Sequence, residues 1–147
     1  IIFFLQKELS SRDLFLYILI QIIAAGLGTL FANYIFGLNV IEISSNIRSG
    51  ANIYISEIFA ATGLLLVILL SRADGKNVVS FNVGIYITAA LIFTSSTSFA
   101  NPAVTIARMF TESFTGINPS TVIFFISCQV IGMFAAYVLY NQFFKSK

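Results

Sequence analysis

The sequence predicts an all-α membrane protein: four membrane-spanning helices and one short helix that enters the bilayer without crossing it. Three observations carry this. Of 147 residues, 58% are hydrophobic and only 10% are charged, with a mean hydropathy of +0.93. The few charges cluster, and the stretches between them are about as long as a helix needs to cross a hydrocarbon core, roughly 20 residues. One uncharged run, 77–107, is too long for a single span and contains Asn101-Pro102. Asn is a favoured N-cap and Pro suits the first helical position, so this run divides into a span, an irregular polar break and a second helix begun at depth.

In chain order, 1–9 begins with the apolar Ile1-Ile2-Phe3-Phe4-Leu5, too short to span. It is read as a re-entrant end or interfacial piece. With no initiator Met and neither the basic flank nor the cleavage site of a signal peptide, the sequence reads as a fragment. Ser10-Ser11-Arg12-Asp13 offers N-cap chemistry for the first span, 14–36. The segment 37–50, with Glu42 and Arg48 among Asn and Ser, is a loop. The second span, 51–71, is interrupted by Glu57 alone. A polar turn at 72–77 leads to the third, 78–94. The Ser/Thr-rich break then opens at Asn101 into a re-entrant half-helix expected over 101–113, carrying Arg108 and Glu112. Asn118-Pro119-Ser120 echoes Asn101-Pro102-Ala103, but it lies at a polar boundary and is read as the turn and N-cap of the last span, 121–144.

Several function classes are excluded early. The net charge of +2 is small and its basic residues are scattered, so no nucleic-acid partner is implied. The chain has no His and a single Cys128, which removes zinc sites, the usual catalytic triads and any intrachain disulfide. No cofactor and no enzymatic chemistry are expected.

Lys and Arg favour the cytoplasmic side. With four spans, both ends and the 72–77 turn share one side, and that side carries Lys7, Arg12, Arg72, Lys76, Lys145 and Lys147 against Arg48 and Arg108 opposite. Both ends are therefore expected to be cytoplasmic, and the re-entrant segment dips in from the outer face. An internal repeat appears at an offset of 108 residues: Gln21-Ile22-Ile23-Ala24 against Gln129-Val130-Ile131-Gly132, Asn33 against Asn141, Phe36 against Phe144. Each copy follows a short apolar piece and a polar break. That is the layout of inverted-repeat channels and transporters, in which broken helices meet near the midplane.

A helix starting at mid-membrane offers N–H groups without intrahelical partners and a partial positive charge, which repels cations and donates hydrogen bonds to polar solutes. Ser98-Phe99-Ala100-Asn101-Pro102-Ala103-Val104-Thr105 resembles the second Asn-Pro-Ala signature of the aquaporin, or major intrinsic protein, family. The resemblance covers essentially the whole chain: Glu57 resembles the buried Glu of the family's fourth helix, Gly84 the Gly of its fifth, and 1–9 the segment after its first Asn-Pro-Ala. It implies an aquaporin-like inverted-repeat bundle, truncated to the third through sixth helices plus the outer half-helix, with helices one and two and the first signature missing.

The same resemblance implies the site residues. Asn101, Pro102 and Ala103 would form the pore half-helix. The family's filter Arg falls at Val104, a second filter position at Ser98 and the fifth-helix contribution at Leu91 counted from Gly84, or Ala89 counted back from Asn101. Without the Arg, the pore is expected to be wider and less cationic than a strict water channel. It resembles in this a bacterial branch associated with arsenite, whose neutral trihydroxide would be the permeant. Arg108, four residues beyond Val104, is either a positive group at the outer mouth or an interfacial Arg pairing with Glu112. Glu57, costly in a span unless satisfied, is read as a structural acceptor for the broken segment's backbone rather than a proton relay. Tyr34 and Tyr54 are placed at an interface belt. The expected function is a passive channel for water and small uncharged solutes in the cell (inner) membrane, with the lipid bilayer as surroundings and, by resemblance, a homotetramer. The alternative is a non-conducting truncated product that only packs with other spans.

Overall fold

The fold is described from a computed structural model for residues 1–72 and 75–144, with only the backbone of Lys76. The centre of the 72–77 turn and the charges of Lys145 and Lys147 lie outside the described residues. Among the described residues six α-helices follow in order: α1 (Ile2–Leu5), α2 (Ser11–Ile35), α3 (Ala51–Ser71), α4 (Lys76–Phe93), α5 (Pro102–Ala107) and α6 (Pro119–Phe143), with a 3-10 turn, Arg108–Phe110, directly after α5. There is no strand among the described residues. α2, α3 and α6 are long and apolar enough to cross a membrane. The apolar part of α4, Asn77–Phe93, is shorter than that; its 18 residues rise about 27 Å.

The helix ends follow from local chemistry. Ser10 caps α2 by accepting the Asp13 N–H at 3.1 Å, and its hydroxyl donates to Asp13 at 2.7 Å. The helix therefore starts at Ser11, ahead of the uncharged run. At the far end Gly37 takes φ +68°, and Leu38 N–H reaches back to Asn33 O at 2.9 Å while Gly37 N–H bonds Tyr34 O at 3.2 Å. This double closure needs a left-handed residue, which glycine supplies without strain. α6 starts at Pro119 beneath Asn118, whose Oδ1 accepts the Ser120 N–H at 3.0 Å. α2 and α6 are both 25 residues long, and both their first and last residues are related by the 108-residue offset seen in the sequence.

The described chain clusters into two compact units. The first gathers Ile1–Arg48 with Pro102–Ile123, the second Ser49–Asn101 with the chain from Phe124 onward. In the first, α5 packs on α2, and the segment 42–46 runs beside 109–118. In the second, α3 packs on α4 and comes close to α6 at Gly132. Its core includes Ala60, Ala61, Phe99 and Phe125, with the Phe99 and Phe125 rings 5.1 Å apart. Tyr34 is exposed at the end of α2. Tyr54 instead packs its ring against Phe124 and Phe125, at 5.9 and 6.4 Å.

Candidate functional site

In the second unit, the break after α4 is buried irregular backbone. Thr94 ends the helix by turning extended while its hydroxyl donates to Ala90 O at 2.6 Å. Thr94, Ser96, Thr97, Ser98 and Phe99 are all buried, and Thr97, Ser98 and Ala100 adopt positive φ of 59°, 43° and 50°. Such backbone is tolerated in a membrane interior only where protein or water satisfies its polar groups. α3 does this. Ser56 Oγ accepts the Ser96 N–H at 3.3 Å. The Glu57 carboxylate accepts Phe99 N–H at 3.3 Å through Oε2 and Ala100 N–H at 2.6 Å through Oε1. Gln129 of α6 donates its side-chain N–H to the same Oε1 at 2.7 Å. Glu57 is fully buried, and these three donors offset the cost of burying its charge.

The segment so held ends at Asn101, and α5 starts at the next residue, so Asn101 occupies the N-cap position and Pro102 the first helical one. Ala103, Thr105 and Ala107 are buried. The α-helix stops at Ala107, much shorter than the half-helix expected over 101–113. The reason lies in the carbonyls that would carry it on. Arg108 O accepts from Ile117 N–H at 3.2 Å and Met109 O from Ser44 N–H at 2.9 Å. Phe110 O accepts the Asn33 side-chain N–H at 2.9 Å. With outside donors on these oxygens, the chain tightens into a 3-10 turn and leaves helical form before Glu112. Arg108 and Glu112 therefore do not lie on one helix face. Glu112 instead accepts both the N–H and the hydroxyl of Ser45, each at 2.5 Å. These bonds hold its carboxyl below the ordinary value.

Val104 and Arg108 line one cavity of about 600 Å³ in the first unit, together with Thr29 and Asn33 of α2 and Thr111 and Thr115 beyond the 3-10 turn. Ser98 and Leu91 belong to the second unit. Ser98 is buried, and its Oγ has no hydrogen-bond partner. Leu91 is exposed. It is Ala89, not Leu91, that shares a shallow groove on α4 with Gly84 and Thr88.

Sequence reasoning missed Gln129, Ser56, Asn33 and Ser45 as parts of the site. Gln129 and Asn33 were visible only as repeat matches, yet each is a side-chain amide in an apolar span, a costly placement unless bonded. Asn33 is buried and donates to Val40 O at 3.1 Å as well as to Phe110 O.

No protein-family model matches this chain, and no solved structure matches it. Among curated proteins it is similar to aquaglyceroporin AqpS of Rhizobium meliloti (strain 1021), 40% identical over 139 residues, which is 95% of this chain and 60% of that protein. The chain thus spans about three-fifths of its relative's length. With spans of membrane length, it is an integral membrane protein. On identity at this level along nearly its whole length, the chain belongs to the aquaporin, or major intrinsic protein, family.

Proposed function

We propose that this chain forms part of a passive membrane channel for water and small uncharged solutes of the glycerol class, with Asn101-Pro102-Ala103 at the pore centre and Val104 in its filter. The observation that carries the reading is the grip of Glu57 on Phe99 and Ala100. A buried carboxylate spent on two backbone N–H groups of an irregular segment fixes where the following helix begins, and that helix begins with Asn101 at its cap. The relative's description as an aquaglyceroporin supports the same class of solute. Val104 sets no charge and leaves more width than an arginine would, which favours solutes larger than water, arsenous acid among them. The charge distribution supports cytoplasmic ends in an inner membrane, and a homotetramer is the family's assembly.

The second reading, a chain that packs with other spans without conducting, draws on one contrast. In the most apolar 18-residue stretch of α6, 39% of residues are buried, whereas the corresponding stretch of α2, its repeat mate, buries 0%. The deciding experiment is stopped-flow swelling of liposomes containing the protein, with glycerol or arsenous acid as osmolyte. Solute entry well above that of empty liposomes is expected. Entry equal to empty liposomes would discard the channel in favour of the second reading.

A further inference from the structure

The cavity that holds Val104 holds a charge as well. Among the described residues lining it, Arg108 is the single charged one; the rest are small or apolar, or carry hydroxyl and amide groups such as Thr29, Asn33, Thr111 and Thr115. Arg108 lies four residues past Val104, about 6 Å further from Asn101 at helical rise. Glu112, the acidic residue nearest in sequence, does not line the cavity, and its carboxylate goes to Ser45. A guanidinium keeps its charge at every working pH. A fixed positive charge in a confined passage raises the energy of an entering cation and leaves a neutral solute nearly untouched.

We propose that Arg108 is the charge-selecting residue of this channel, excluding cations from the cavity beside Val104 while the hydroxyl and amide walls serve uncharged polyhydroxy solutes. The proposal rests on the channel reading above and deepens it. An arginine at position 104 would set width and charge together. With valine there and arginine a turn away, the two are set by different residues, so the passage can be wide and still reject cations.

The test uses proteoliposomes of the protein and two permeants of similar size, glycerol and methylammonium. In R108Q the ratio of methylammonium to glycerol permeability should rise roughly five- to tenfold over the unmodified protein, the effect of a Coulomb repulsion removed from a water-filled passage. R108K, which keeps the charge, should hold the ratio at its original value. If R108Q does not assemble, judged by gel filtration in detergent, Arg108→Met gives the same information: an uncharged side chain of similar length should raise the ratio as R108Q would. A ratio unmoved in R108Q, or in R108M where R108Q is lost, overturns the proposal while leaving the channel intact. An equal rise in R108K overturns it too, since bulk and not charge would then be at work. Absence of glycerol flux in the unmodified protein removes the channel reading itself, and this inference with it.

Discussion

Gln129 and Glu57 are joined side chain to side chain at 2.7 Å inside the second unit, and the carboxylate oxygen that Gln129 touches also receives the Ala100 N–H at 2.6 Å. One oxygen thus ties α6 to the segment that leads into Asn101. Glu57→Gln would turn an acceptor-only group into one with two donors, leaving at least one of the three N–H groups facing another N–H. Bonds to a charged group contribute about 1.5–3 kcal/mol each, so a loss of roughly 3 kcal/mol is expected. Thermal unfolding in detergent should show a clearly lowered midpoint for E57Q; an unchanged midpoint would mean that the carboxylate does not hold the segment.

The approach of α6 to α3 gives a second prediction. A Cβ on Gly132 would stand 2.6 Å from Ile58 O and 2.9 Å from the Ala61 Cβ, and Gly132 O accepts the Thr62 hydroxyl at 3.2 Å. Backbone cannot yield there as a long side chain would. Gly132→Ala should destabilise the protein by about 1–3 kcal/mol, the usual cost of overpacking. Gly28, on α2, has open space where its Cβ would stand, and Gly28→Ala should be neutral or slightly stabilising by helix propensity, within about 1 kcal/mol. Comparing the two midpoints in one detergent checks both; equal behaviour would refute the close packing at Gly132.

What was legible in the sequence divides along physical lines. Helix ends set by local chemistry could be read: Ser10 with Asp13, Asn118 with Ser120, and Asn101 ahead of Pro102 each declare a start within a few residues. The equal lengths and matching ends of α2 and α6 were foreshadowed by Gln21 and Gln129 in the repeat. The early end of α5 could not be read, because it is imposed by Asn33, Ser44 and Ile117 taking the carbonyls of the next turn. Nothing within 101–113 signals that competition. The fifth-helix position is a different matter: counting from Gly84 gives Leu91 and counting back from Asn101 gives Ala89, because the residues between α4 and α5 are irregular, and along α4 it is Ala89 that shares a groove with Gly84.

Ser45 and Glu112 make the first unit's loop pairing sensitive to acid. Because the Ser45 hydroxyl and N–H bonds lower the Glu112 pKa in the folded state, the contribution is fully present above the ordinary value of 4.5. It is lost as pH falls through the depressed folded value. Amide exchange at Ser45, normalised to the exchange rate of an unstructured peptide at each pH, should be protected at neutral pH and lose protection below the ordinary carboxylate range. Glu112→Gln should weaken that protection at neutral pH. A protection factor constant across the range would show that the carboxylate is not what anchors 42–46.

The last prediction concerns width. Val104 lines the cavity from α5, and an arginine introduced there would bring a guanidinium and three methylenes into a space now bounded by an isopropyl group. Water is small enough to pass beside such a group where glycerol or arsenous acid is not. Val104→Arg is therefore expected to lower glycerol and arsenous acid entry by roughly tenfold, the effect of about 1.4 kcal/mol on a barrier, with osmotic water flux much less affected. The measurement is swelling under a glycerol gradient beside shrinking under an impermeant osmolyte, in the same proteoliposomes. If both solutes enter V104R as fast as the unmodified protein while water flux is also unchanged, position 104 lies away from the narrowest part of the passage, and the filter must be sought among residues on other elements.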